Sequence, residues 1–224
     1  MLPHPDTTLM PQALHATQRA LDIEARAIDA VWELNADTIP QALELIASSQ
    51  GHVVISGLGK SGHIGAKLAA TWSSFGTPTV FMNSSEALHG DFGICNPEDV
   101  GVVISYSGRT AEVVAVAQMM KALGMAVIAL SHDASSPIGQ LSDVHLSIKV
   151  DHEADTLKLG PTASTAATLA LGDALAAGLQ VMNAFTPEDF RLRHPGGSLG
   201  KQLAAQLSPA TQASPSTQSS EVLS

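Results

Sequence analysis

The segment Ser105-Tyr-Ser-Gly-Arg-Thr-Ala-Glu112 follows directly on the apolar run Val100-Gly-Val-Val-Ile104. This reads as a buried strand ending in a turn of hydroxyls and glycine, with Glu112 in the first turn of the next helix. A helix N-terminus offers unpaired N–H groups and a partial positive charge, so an anion fits there. Ser105, Ser107 and Thr110 add hydroxyl donors. A carboxylate one turn on suits a ligand whose phosphate docks on the turn while Glu112 does proton chemistry on its organic part. The alternative is that these residues only cap a helix, which Ser and Thr often do. A second segment repeats the pattern. His52-Val-Val-Ile-Ser56 runs into Gly57-Leu-Gly-Lys-Ser-Gly62, with Lys60 in the turn and helical spacing of apolar residues from Ile64 to Ser74. Its glycines match G-x-G-x-x-G, but no acidic residue is clearly placed about 20 positions on, and Val54 breaks the P-loop pattern. Two anion-cradling turns, one with a lysine, point to a phosphorylated small molecule.

The elements that must carry these turns alternate. Strands are expected over 52–56, 78–82, 100–105, 125–130 and 144–148, with helices over about 61–74, 110–123 and 136–141, and a long Ala/Leu-rich helix from Thr162 to Met182. The strands are short, apolar and β-branched, as in a sheet covered on both faces. The fold class is therefore α/β: a doubly wound, five-stranded parallel sheet flanked by helices, flavodoxin-like, with its ligand beyond the carboxyl ends of the strands. Apolar positions from Leu9 to Leu34 define an amphipathic helix that packs on a partner subunit or on the chain's own sheet, and a second helix follows Pro40. One domain is expected over 1–207, including N-terminal helices within 9–48. The Ser/Thr/Gln/Pro/Ala-rich stretch 208–224 is expected to be a disordered tail.

Composition narrows the partners. The 224 residues carry 11 Lys and Arg against 21 Asp and Glu, a formal net charge of −10, which argues against nucleic acid or an anionic membrane as partner. An anionic substrate must be drawn by local groups. Charged residues are only 14%, a lean surface that favours oligomerisation. The single Cys95, the lack of a signal-peptide pattern and the lack of an uninterrupted apolar run of transmembrane length are the basis for expecting a cytoplasmic protein.

Five segments occur together in one order: Gly57-Leu-Gly-Lys-Ser-Gly-His63, Glu86-Ala-Leu-His-Gly-Asp-Phe-Gly93, the 105–112 turn, Pro161-Thr-Ala-Ser-Thr165 and His194-Pro-Gly-Gly-Ser-Leu-Gly200. Together they resemble the sugar isomerase (SIS) domain of D-arabinose 5-phosphate isomerases, from about Ala20 to Leu207. The Ser/Thr turn marks SIS domains in general; the His-Gly-Asp and His-Pro-Gly-Gly segments are more specific to this group. The resemblance implies reversible isomerisation of D-arabinose 5-phosphate and D-ribulose 5-phosphate, supplying 3-deoxy-D-manno-octulosonate (Kdo) synthesis for lipopolysaccharide or capsule. It also implies a homotetramer with active sites shared between subunits. Most members continue into two CBS modules, so this chain resembles the short form.

Aldose–ketose isomerisation needs ring opening, proton removal beside the carbonyl, enediolate stabilisation and proton return. A carboxylate and an imidazole suffice, so neither cofactor nor metal is expected. By position and by resemblance Glu153 is the candidate base, with Glu112 as the alternative base or proton shuttle. His194 is assigned ring opening or general acid work, and His89 a role by resemblance. Lys60 would bind phosphate or stabilise the enediolate. Ser56, Gly57, Gly59, Ser61, Ser105, Ser107 and Thr110 are the expected substrate-binding set. Were His89, His194 and Cys95 to converge, they could trap zinc and inhibit. The chain departs from the family in carrying Arg109 beside the phosphate turn, in the segment Asp155-Thr-Leu-Lys-Leu-Gly160 where many members have Cys-Pro, and in lacking the CBS pair. Another sugar-phosphate isomerase and a non-catalytic sugar-phosphate sensor are the competing readings; a dinucleotide-dependent oxidoreductase is more distant, since no room remains for a substrate domain.

Overall fold

A computed structural model describes residues 5–197, in two units that divide after Asn183. The first holds β1 (Val53–Gly57), β2 (Thr79–Asn83), β3 (Val100–Ile104), β4 (Ala126–Ser131) and β5 (Val144–Ser147), all parallel, in the order β2-β1-β3-β4-β5. Helices α1 (Met10–Asn35), α2 (Ile39–Ala47), α3 (Gly59–Ser74), α4 (Ser84–Ala87), α5 (Ala111–Leu123), α6 (Pro137–Leu141) and α7 (Ala163–Met182) complete it. The sheet is the doubly wound one that the alternating pattern predicts.

Strand alternation sorts the core into two layers. Val53 and Ile55 of β1, with Val102 and Ile104 of β3, pack with Leu68 and Trp72 of α3 and Leu171 and Leu175 of α7. Val54, Val103, Val127 and Ala129 face the other way, onto Val113, Val116 and Met120 of α5 and Ile138 of α6. The central strands β1 and β3 are buried throughout, whereas β2 at the edge leaves Val80 exposed, so full coverage holds for the centre only. By length and apolarity α7 could cross a membrane, but here it packs on α1, α2 and α3, and the Trp72 indole donates to Gly172 O at 2.9 Å. Buried Asn35 fastens α1 to β5: its amide donates to Ser147 O at 2.9 Å, and Ser147 N–H returns a bond of 2.7 Å to its Oδ1.

Two differences from the sequence reading bear on the site. Helix α3 already begins at Gly59, whose φ of +58° turns the chain, so Lys60 lies in the first helical turn and not in the loop before it. After β2 the chain forms α4 and a 3-10 turn, Asp91–Ile94, where sequence reasoning placed no helix; His89 lies between them.

The second unit holds α8 (Pro187–Arg193). Thr186 and Asp189 form a capping box, with Asp189 N–H donating to Thr186 Oγ1 at 3.2 Å and Thr186 N–H to Asp189 Oδ2 at 2.9 Å. The expected boundary at 207 and the expected tail 208–224 lie outside the described residues.

Candidate functional site

Where β1 and β3 lie side by side, their helices leave to opposite faces of the sheet: α3 joins the first core layer and α5 the second. A crevice opens at such a reversal. Here it is a cavity of about 260 Å³ lined by Leu58, Ser61, Ile104, Ser105, Tyr106, Ser107, Thr110 and Val113. The structure thus brings together Ser61, Ser105, Ser107 and Thr110 of the expected binding set. The Ser105 and Thr110 hydroxyls are 3.0 Å apart, and Arg109 N–H donates to Ser107 Oγ at 3.2 Å. Neither Leu58 before α3 nor Thr110 before α5 caps its helix with a side chain, so the first N–H groups of both helices remain available beside the hydroxyls. No lysine or arginine lines the cavity itself, whose own donors are N–H and O–H groups at two helix starts, with Lys60 in the first turn of α3 next to lining residue Ser61.

Glycine has a local reason at two turns. At Gly57 the end of β1 comes close to the start of α3, and a Cβ at 57 would lie a tight 3.3 Å from Gly62 N. Gly108 has φ +65°, and a Cβ there would collide with Ser136 Oγ.

Ser56, also of the expected set, lies apart from the crevice lining. It has no accessible surface, and its hydroxyl lies 2.9 Å from the Ser84 hydroxyl, so it braces β1 against α4 and cannot reach a ligand in this arrangement. It faces the α5 layer, as strand alternation from Val54 requires. Lys60 and His89 are exposed, Glu112 half-buried in the first turn of α5.

Glu153 sits in the loop after β5 and acts as the cap of α7. Its Oε2 accepts from Thr162 N–H at 2.8 Å, Thr162 Oγ1 at 3.2 Å and Ser164 N–H at 3.1 Å, and Oε1 accepts from Ser164 Oγ. The carboxylate is held in one orientation and also lines a cavity of about 120 Å³ with His15, Arg19 and Lys158. Asp155 organises the next stretch by accepting from Leu157, Leu159 and Gly160 N–H at 2.9–3.0 Å. Tyr106 connects this loop with the crevice it lines: its hydroxyl is 3.5 Å from Val150 O, and burial, with the nearby Glu153 charge, pushes the phenol's pKa up, so it stays protonated. Sequence reasoning missed Tyr106 as a link, and also His132; both stand just past strand ends, where such sheets put functional groups.

His194 belongs to the second unit. Its Nδ1 lies 2.8 Å from Phe190 O and so carries the hydrogen in the neutral ring, which stacks on Phe190 at 3.9 Å between centroids. Its ψ of 52° is short of the extended value expected before proline. Ser198, Leu199 and Gly200 of its segment lie outside the described residues. Among the described residues no three His, Cys, Asp or Glu side chains converge to hold a metal. Burial, then the Asp99 charge, pushes the Cys95 thiol up to about 11, which makes it a poor thiolate ligand near neutrality.

Fold and crevice define a doubly wound α/β protein with a hydroxyl-lined crevice at its reversal point. The model of the SIS domain matches residues 45–178, and the chain belongs to that family. It is 43% identical over 194 residues to the arabinose 5-phosphate isomerase KdsD of Pseudomonas aeruginosa, covering 87% of this chain and 60% of that protein. It is 42% identical over 192 residues to KdsD of Escherichia coli K12, covering 86% and 58%. This chain therefore spans about 60% of the length of these relatives. Among solved structures, E. coli CFT073 c3406 in complex with A5P superposes with a TM-score of 0.79 at 36% identity, over 85% of this chain and all of that one.

Proposed function

We propose that the protein interconverts D-arabinose 5-phosphate and D-ribulose 5-phosphate through an enediolate, without metal or cofactor. The observation that carries this reading is the crevice between β1 and β3, in which Ser61, Ser105, Ser107 and Thr110 gather beside two uncapped helix starts. A phosphate docked there leaves its sugar to Glu112, one turn into α5, and to the groups of the Glu153 loop. Similarity to a protein solved with A5P, and to curated isomerases, supports the substrate.

In this reading a carboxylate takes the proton beside the carbonyl and returns it to the neighbouring carbon. Glu153, immobilised on α7, is the first candidate and Glu112 the second. Lys60 stabilises the enediolate or the phosphate. His194 opens the ring or acts as general acid at the sugar oxygens, His89 joins the catalytic set, and one of the two is supplied by a neighbouring subunit. The oligomer is a homotetramer: α1 exposes Leu14, Leu21, Ile28 and Trp32 at 43–65% of their surface, a stripe at heptad spacing that a second copy would cover. The partner in solution is a small sugar phosphate, without nucleic acid or membrane. The setting is the cytoplasm, where the product feeds Kdo synthesis.

The test is isomerisation of D-arabinose 5-phosphate by purified protein with chelator present, beside Glu153→Gln and His194→Ala. Turnover by the wild type that both substitutions abolish supports the reaction and the site. No turnover, with thermal stabilisation by sugar phosphates, turns the reading to a sensor or to another sugar. Light scattering that gives a monomer overturns the shared site.

A further inference from the structure

The turn 105–110 does not hold its shape alone. Ser105 N–H donates to Leu130 O at 3.1 Å, His132 N–H to Tyr106 O at 2.9 Å and Ile138 N–H to Gly108 O at 3.2 Å. Ser136 fills the space beneath Gly108. The loop after β4 is thus a bracket under the anion turn. His132 adds a contact that the backbone does not require. Its Nδ1 lies 2.7 Å from Tyr106 O, the same carbonyl that already accepts its N–H. A carbonyl only accepts, so Nδ1 carries the hydrogen. The ring also stacks on Tyr106, with centroids 5.2 Å apart at 28°. One half-buried histidine therefore places its backbone, one ring nitrogen and one ring face on a single residue of the crevice wall.

Because Tyr106 O is satisfied by one donor, the second bond fixes geometry and rescues no buried group. Both lone pairs are occupied, the peptide plane between Tyr106 and Ser107 cannot rotate freely, and the hydroxyls on either side keep their spacing. We propose that His132 is a positioning residue for the anion turn, clamping the Tyr106 carbonyl so that Ser105, Ser107 and Thr110 meet a phosphate already aligned. This rests on the reading of the crevice as the phosphate site. The charged and titratable groups around the ring are Tyr106, Asp133, His145 and Arg109, whose guanidinium is 4.0 Å from Asp133 Oδ2. The imidazolium keeps Nδ1–H, so the clamp works in either protonation state. Preorganised donors of this kind gain their effect by not having to move when the anion arrives.

The experiment compares His132→Ala, His132→Asn and His132→Gln in the full chain, titrating inorganic phosphate by calorimetry and measuring KM and kcat with D-arabinose 5-phosphate. Asn presents an amide N–H where Nδ1–H stands; the amide of Gln lies one bond farther out. His132→Ala is expected to weaken phosphate by about tenfold and to raise KM in step, with kcat changed less. His132→Asn is expected to return to within about threefold of wild type, and His132→Gln is not. Unchanged phosphate binding in His132→Ala, or equal behaviour of Asn and Gln, overturns the proposal, and the Asn/Gln contrast decides it if the alanine variant does not fold. A wild type that binds no phosphate also overturns it. A wild type that binds phosphate but does not isomerise the sugar defeats the isomerase reading, while phosphate affinity still judges the clamp.

Discussion

The starts of α5 and α7 meet the same electrostatic demand in opposite ways. Each begins with N–H groups that have no helical acceptor, at the positive end of a dipole. At α7 the chain supplies the anion itself: Glu153, nine residues upstream of Thr162, takes two N–H groups and two hydroxyls. At α5 no side chain caps the helix, and the hydroxyls of Ser105 and Thr110 bond to each other beside a cavity. The difference teaches that one fold can leave a helix start open or fill it from within, and under the proposed function the two would serve a single site. One waits for an external anion, and the other uses up its pull in fixing a carboxylate.

The largest effect is expected at the filled end. Glu153→Gln should lower kcat by roughly 10²–10⁴ if this carboxylate is the base. It should also cost about 1–3 kcal/mol of stability, because the amide places a donor against the α7 N–H groups. Initial rates and thermal unfolding separate the two losses; unchanged rates with lowered stability would reduce Glu153 to a cap and move the base to Glu112. Next comes the open end. Gly108→Ala should raise KM by about tenfold or more and destabilise by about 1–3 kcal/mol, since it combines a positive φ with a collision at Ser136. Phosphate titration checks that binding, and not folding alone, is lost.

The bracket beneath the open end should add a pH dependence. His145 Nε2 lies 2.9 Å from Ser131 Oγ, and burial holds its pKa below the ordinary 6.5. The unfolded chain therefore binds this proton more readily, so stability is full above about 6.5 and falls as pH drops below it. Melting curves between pH 7.5 and 5.5 should show that decline, and His145→Gln should flatten it. The smallest effect is expected far from both helix starts. Burial pushes the Asp143 carboxyl up, but Lys121 at 2.7 Å and Val127 N–H at 2.7 Å outweigh it and hold the pKa low. Asp143→Asn should cost about 1 kcal/mol near neutrality and progressively less as acid protonates the carboxyl in the wild type. Neither kcat nor phosphate affinity should change.

The open end was largely legible in the sequence, because its parts are local: an apolar run, a turn of hydroxyls, a helix. The five strands fell within a residue or two of their places for the same reason. What was not legible is what depends on distance along the chain. Nothing near Glu153 announces that it caps a helix nine residues on. The burial of Ser56 follows from alternation within β1, yet its partner Ser84 lies on a helix too short to leave a periodic signal. His132 carried a readable sign, a polar residue just past an apolar strand, but its partner is set by the neighbour of β4 in the sheet. How Lys60, His89 and His194 relate to the crevice depends on arrangements that no local pattern encodes.

The packing of α7 on α1 has a consequence for how the protein is made. The layer that contains Ile55, Trp72 and Leu171 joins residues from the first helix to the last long one. On the ribosome, α1, α3 and one face of the sheet emerge first and wait for α7 to arrive. At bacterial-to-eukaryotic elongation rates that interval is on the order of 10 s. Throughout it the nascent chain displays the apolar surface that α7 will cover. A chain cut short before Ala163 would never hide that surface.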